Sequence, residues 1–386
     1  MIKLVNDTIT KNDLLELSKW LLQETTPQLT KGSLTVSFQE AWAREIGTNY
    51  STFVNSGSSA ILLVLSALQQ GNYLKNNKIV VSSLSWHTDV SSPIILGYDV
   101  ILSDCNMHDL SCDLEHLEKI FMEHKPAVLM LVSVLGIVPD MERVLGLCKK
   151  YGVILLEDVC ESAGSSYKGQ KLGTFGLASV FSFYFGHHLS TIEGGFINTN
   201  DKKLQNILLS IRNHGWDRDL NLEDKEKIRK EWGIDEFNAL YKFYYNGFNV
   251  RSTDLQAFIG LRQVSRLQKF SEARNINYTL YNSLIKKNNL SLIKSDDNMF
   301  ISNFAYPVVN PAKNLIIKSL QEAGIESRPL IAGSIGNQPF WIKKYGKLSL
   351  KNCDIIDKFG FYIPNNQDLT IENIQIISNI INTLGE

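Results

Sequence analysis

The chain has no excess of charge of either sign. Lysine and arginine number 39 and aspartate and glutamate 40 in 386 residues, a formal net charge of −1. Such a balance offers no whole-molecule field for nucleic acid or for an anionic membrane surface. Nor is there a long hydrophobic run. The longest, about a dozen residues from Ala127 to Val138, is broken by Ser133 and Gly136, whereas a membrane span takes roughly 20. The opening MIKLVNDTIT lacks the apolar centre of a secretory signal. Cysteine is sparse. Cys105, Cys112, Cys148, Cys160 and Cys353 are odd in number and never spaced C-x-x-C, which excludes the common redox pair and zinc motifs, so no metal site is expected. These absences set the expectation of a reducing, cytoplasmic compartment. Low-complexity segments and internal repeats are also missing. What remains is a composition that folds: 44% hydrophobic and 20% charged residues separate it from disordered chains. The length suits two or three domains at about 150 residues each.

Through the first two-thirds, short apolar runs alternate with helical patterns. Strands are predicted at 78–83, 99–104, 127–134, 153–158, 179–184 and 194–200. Helices are predicted at 58–70, 114–124 and 140–152. The last follows Pro139, places Asp140 and Glu142 in its first turn, and ends in Lys149, Lys150 and Gly152, the order a helix dipole favours. Alternation of this kind predicts an α/β fold with a mostly parallel sheet and right-handed crossovers. Ligands then bind at the carboxyl ends of the strands. Beyond residue 250 the pattern changes. Residues 251–287 read as one long helix or two abutting ones, followed by an extended run at 301–309, a helix at 313–324 and a terminal helix from about Ile371. The expected division is a large α/β domain over 1–250 and a smaller α+β domain over 251–386.

Several strand ends carry residues with chemistry. Asn55-Ser56-Gly57-Ser58-Ser59-Ala60 leads from a strand into a helix, where small residues and free amides suit a phosphate or simply an N-cap. Trp86, just beyond the strand at 78–83, can stack on a flat ring or pack in the core. Glu157-Asp158 closes the strand VILLED, and a carboxylate there can pair with a protonated pyridine or cap the next segment. The densest window is Phe181-Ser182-Phe183-Tyr184-Phe185-Gly186-His187-His188-Leu189-Ser190-Thr191-Ile192-Glu193-Gly194-Gly195. Adjacent histidines can bind metal, but no companion ligands stand at a suitable spacing. Surface histidines without a role are the other reading. Asn249 and Arg251, ahead of the long helix, read equally as turn and surface residues or as anion contacts.

Taken in order, SGSSA, the SW at 85–86, the strand-end ED, SF-x9-EGG, N-x-R-x-x-x-L-Q-A-x-x-G and a late RPL resemble the nucleotide-sugar aminotransferase family of fold-type I pyridoxal phosphate (PLP) enzymes. The resemblance runs from about residue 30 to 370. It implies a large domain with a mostly parallel seven-stranded sheet plus a smaller C-terminal α+β domain. It further implies that Gly57, Ser58 and Ser182 hold the cofactor phosphate, that Trp86 stacks on the ring, and that Asp158 pairs with the ring N–H. Asn249 and Arg251 match residues that reach the site from a neighbouring subunit, implying a homodimer with shared active sites.

One departure redirects the expected function. The family's aminotransferases carry their cofactor-bonding lysine six residues before the Glu of EGG. His187 stands there, and no lysine occurs between Lys171 and Lys202. An imidazole cannot make that bond, yet it moves protons near neutral pH. The loop H-H-x-x-T-x-E-G-G resembles the sugar 3-dehydratases, which use pyridoxamine phosphate (PMP). Glu161, in E-D-x-C-E-S, resembles the branch acting on GDP-4-keto-6-deoxymannose. A second branch adds an iron–sulfur cluster on four clustered cysteines. With one cysteine after residue 160, this chain does not match it. The resemblance therefore implies an enzyme of dideoxysugar biosynthesis that removes the C3 hydroxyl of a GDP-linked 4-keto-6-deoxy sugar, with L-glutamate regenerating PMP. His187 is expected as the proton shuttle, Glu161 and Asn249 at the cofactor, and His188, His214, Arg251 and Arg328 at the substrate. A one-residue shift of the loop would exchange His187 and His188. An amino-transferring enzyme with an unusual base, or an inactive cofactor-binding homologue, are the alternatives.

Overall fold

A computed structural model describes residues 1–385. Its strands are β1 (Tyr50–Val54), β2 (Lys78–Ser82), β3 (Asp99–Ser103), β4 (Val128–Val132), β5 (Ile154–Asp158), β6 (Ser166–Tyr167), β7 (Gln170–Lys171), β8 (Ala178–Ser182), β9 (Gly195–Thr199), β10 (Met299–Phe300), β11 (Ala305–Val309), β12 (Arg328–Pro329) and β13 (Gly360–Pro364). Seven of them form the central sheet in the order β1-β9-β8-β5-β4-β2-β3. Only β9 runs against its neighbours. The expected α/β fold with a mostly parallel seven-stranded sheet is the one observed.

Both faces of the sheet are covered, which explains the continuous apolar runs. Side chains alternate between two cores: Leu129 and Leu131 of β4 join one, Val128 and Met130 the other. The first core packs helices Ser33–Ile46, Leu114–His124 and Met141–Tyr151; the second packs helices Gly57–Gln70 and Lys202–Ile211. Ile61, Leu63, Val64, Leu65 and Leu68 of helix Gly57–Gln70 are buried, each such side chain stabilising by about 1.5–3 kcal/mol. A second, antiparallel sheet, β11-β13-β12, lies in the C-terminal part. Among the described residues, no helix is long and apolar enough to cross a membrane.

Of the two readings of 251–287 the structure holds the second, two successive helices: Asp254–Leu261, held by a Thr253–Gln256 capping box, packs on helix Ser33–Ile46, and Leu267–Leu284 packs on the terminal helix Ile371–Leu384. Two features depart from expectation. A further helix, His87–Ile95, contains Pro93 and is too short for a clear apolar period. Residues 2–6 join the C-terminal part, Ile2 N donating to the Gly324 carbonyl at 2.8 Å and Leu4 N to Glu326 at 2.9 Å. That non-local pairing has no local signature.

Candidate active site

A cavity of about 410 Å³ opens at the carboxyl ends of β2, β4, β5 and β8. Its far wall comes from the C-terminal part, through Phe304, Ala305, Arg328, Ile331 and Tyr362. Leu4 and Val5 reach it because the N-terminal segment is tied to that same part.

At one end, Ser56, Gly57 and Ser58 start helix Gly57–Gln70. The Ser56 hydroxyl caps the Ser59 amide at 3.0 Å and the Ser56 carbonyl takes the Ala60 amide. Gly57 and Ser58 amides find no acceptor among the described residues and stand at the positive end of the helix. Gly57 is required by crowding: a Cβ would lie 2.8 Å from Ser182 Cβ and 3.3 Å from Cys160 Sγ. Ser182 lines the same end. A phosphate fits this cradle. Trp86 is 57% exposed and lines the cavity rather than packing in the core.

Strand alternation separates the two carboxylates of β5. Glu157 faces away and accepts the amides of Gly173, Phe175 and Gly176 at 2.7–2.8 Å, holding that loop. Asp158 lines the cavity and accepts the Cys160 amide at 2.8 Å. Glu161 also lines it, accepts the Leu135 amide at 2.9 Å, and is pushed up to about 7, chiefly by burial.

The histidine pair is likewise resolved. His187 lines the cavity, its ring 5.5 Å from the Phe304 ring, and its Nδ1 has no partner. Burial pushes its pKa down to about 4, with Arg274 adding to the effect and the Cys160 carbonyl and Asp158 opposing it. The imidazole is therefore neutral at pH 7 and ready to accept a proton. His188 is 1% exposed and its Nε2 bonds the Ser302 carbonyl at 3.1 Å. This corrects the expectation of a substrate contact: the side chain is turned into the interior, where it ties the loop to the C-terminal part.

Of the remaining expected residues, Arg328 lines the cavity. His214, Asn249 and Arg251 do not. Residues 211–214 and 248–250 pair with each other, Arg251 bridges Val54 at the end of β1, and Arg251 Nε donates to Asn249 Oδ1 at 3.0 Å. Sequence reasoning passed over Thr88 and Tyr362, which also line the cavity, as does Glu193 of the EGG motif. Tyr362 had no local signal; Thr88 lay two residues beyond Trp86. Cys105, Cys353 and Asp104 meet elsewhere in the interior, where Asp104 accepts three backbone amides, from Cys105, Asn352 and Cys353.

The DegT/DnrJ/EryC1/StrS aminotransferase family model matches residues 9–382, and with it every residue of the cavity except Leu4 and Val5. The chain belongs to this family. The DegT/DnrJ/EryC1/StrS fold brings its cofactor, pyridoxal phosphate or the amine form, and the cradle at Gly57, the wall at Trp86 and the carboxylate at Asp158 suit the phosphate, ring and ring nitrogen of that group. Within the family, a relative from Yersinia pseudotuberculosis, GDP-4-keto-6-deoxy-D-mannose 3-dehydratase, is 31% identical over 363 residues, 91% of each chain. A UDP-4-amino-4,6-dideoxy-N-acetyl-beta-L-altrosamine transaminase from Campylobacter jejuni is 26% identical over 398 positions, covering 100% of this chain and 98% of the relative. A crystal structure of GDP-4-keto-6-deoxymannose-3-dehydratase with a trapped PLP-glutamate geminal diamine superposes with a TM-score of 0.87 at 26% identity, over 98% of this chain and 100% of that one.

Proposed function

We propose that this enzyme removes the C3 hydroxyl of a GDP-linked 4-keto-6-deoxyhexose, GDP-4-keto-6-deoxy-D-mannose foremost, and that L-glutamate restores PMP after each turnover. One observation carries the reading: where the family's aminotransferases hold a lysine, the cavity wall presents His187, and no lysine lines the cavity among the described residues. The 3-dehydratase relatives support the GDP sugar, and the PLP-glutamate adduct of one of them supports glutamate.

Bound PMP supplies an amine that condenses with a ketone and a cationic ring that accepts electron density. The chain's own residues do the rest. Gly57, Ser58 and Ser182 hold the phosphate end, Trp86 covers the ring, and Glu161 bonds beside it. Asp158 keeps the ring nitrogen protonated. His187, neutral and facing the cavity, takes a proton on its ring and returns it to the departing C3 hydroxyl. A lysine would instead hand its proton to the sugar carbon and complete an amino transfer. Arg328 offers a planar guanidinium to the diphosphate or the glutamate carboxylate.

A homodimer with shared sites completes the reading. Asn249, Arg251 and His214 stand outside their own cavity; His214 packs on Trp216, which stacks on Phe243, in a stretch that also exposes Trp232, Phe237 and Tyr241. In a dimer they reach the partner's cofactor and substrate. The test is nitrogen balance. With a catalytic amount of protein, L-glutamate and GDP-4-keto-6-deoxy-D-mannose, each 2-oxoglutarate formed is matched by one ammonia. Formation of 2-oxoglutarate without ammonia would mean that the nitrogen stays on the sugar and that the enzyme is an aminotransferase.

A further inference from the structure

Asp89 does not line the cavity but touches two residues that do, Trp86 and Asp158. It is the third residue of helix His87–Ile95, and its Oδ2 accepts the Trp86 amide at 3.2 Å. The side chain is completely buried. Its other oxygen, Oδ1, is buried and meets no N–H or O–H donor among the described residues. The Asp158 carboxyl lies within side-chain hydrogen-bonding reach of Asp89, and the Glu161 carboxyl is near enough for its charge to act on it. Asp158 in turn has one oxygen on the Cys160 amide and lines the cavity. None of the ion pairs among the described residues involves Asp89, Asp158 or Glu161.

Two ionised carboxylates cannot share such a site at small cost. A single proton between them removes the repulsion and gives the orphaned oxygen a bond. The deeper, fully enclosed group keeps that proton, because an ion there has no water and no cation. Asp158 faces the cavity, so its charge is the one a cationic ligand atom neutralises. Burial, and then Asp158 and Glu161, hold the Asp89 carboxyl well above the ordinary carboxylate range. The neighbouring Cys160 thiol is pushed up by burial and the same carboxylates.

We infer that Asp89 is a positioning residue: a neutral carboxylic acid that donates its O–H to Asp158 while accepting the Trp86 amide. It thereby joins the side chain that stacks on the cofactor ring and the one that pairs with the ring nitrogen into one rigid unit. A neutral donor also leaves the negative charge on Asp158 alone, so the ring nitrogen meets one carboxylate at a fixed angle instead of two competing ones. The inference rests on the reading of Asp158 given above.

Asparagine at this position keeps the shape, the acceptor and a donor, but has no proton to lose; leucine keeps the bulk and neither bond. Wild type and Asp89→Asn are compared by infrared difference spectroscopy at pH 7, with PMP bound and no sugar present. The wild type shows the carbonyl stretch of a protonated carboxylic acid that Asp89→Asn lacks. By direct titration, Asp89→Asn binds PMP within about threefold of wild type, while Asp89→Leu binds roughly 10- to 100-fold more weakly, the range for loss of a hydrogen bond to a charged group. An absent acid band, or Asp89→Asn losing as much affinity as Asp89→Leu, overturns the inference. The infrared comparison does not depend on the leucine variant folding. Asp158→Asn separates the two readings. If it binds PMP as wild type does, the role of Asp158 fails, while the band still reports whether the Asp89 proton exists.

Discussion

Replacing His187 by asparagine tests the proton shuttle at two levels. Asparagine fills most of the ring's volume and does not titrate. His187 lines the cavity and meets the Phe304 ring without a partner on Nδ1, so the substitution strands no side-chain partner. A positioned general base contributes about 10²- to 10⁴-fold to rate. The dehydration rate of the His187→Asn protein should fall by that factor while PMP binds within a few-fold of wild type. Stability gives an independent reading. The imidazole has a pKa of about 4 in the fold against 6.5 for the free group, so the unfolded chain binds the extra proton between those values. Stability from this group is fully present above pH 6.5 and lost as pH falls to 4. The gap corresponds to about 3 kcal/mol, and to about 2–3 kcal/mol for a ring partly open to the cavity. Urea unfolding of the cofactor-free protein at pH 7 and pH 4.5 should show wild type losing more stability than His187→Asn, by most of that amount. A variant that keeps the wild-type dehydration rate refutes the shuttle. Equal acid sensitivity of the two proteins refutes the buried neutral imidazole.

Two other substitutions separate architecture from chemistry. His188→Leu leaves the Ser302 carbonyl without its donor and should cost about 1–3 kcal/mol in urea unfolding; the product of the folded fraction should be unchanged, since His188 does not line the cavity. Gly57→Ala places a Cβ 2.8 Å from Ser182 Cβ. Alanine is the better helix former by about 1 kcal/mol, but crowding of about 1–3 kcal/mol falls on the phosphate cradle. PMP titration should show about tenfold or greater weakening.

The sheet was legible because its strands are buried on both faces and read as unbroken apolar runs. The strand-end residues followed from the rule that ligands bind where parallel strands end, and Gly57, Trp86, Asp158, Ser182 and His187 all line one cavity. Position along the chain could not separate Glu157 from Asp158, or His187 from His188. Strand alternation and loop direction turn Asp158 and His187 to the cavity and Glu157 and His188 away from it, and loop direction has no mark in the sequence. Helix His87–Ile95 was hidden by Pro93, and with it Asp89, whose significance lies in a neighbour 69 residues further along. The wall formed by Phe304, Arg328 and Tyr362 depends on packing between distant segments, as does the return of residues 2–6 to the C-terminal part. Only the RPL motif at Arg328 gave any sign of that wall.

The most direct measurement is the mass of the sugar product. The protein is incubated with PLP, excess L-glutamate and GDP-4-keto-6-deoxy-D-mannose, and the nucleotide sugar is weighed. Removal of the C3 hydroxyl by the His187 route predicts loss of one oxygen, about 16 mass units. A gain of about one mass unit, the signature of a ketone converted to an amine, would contradict it.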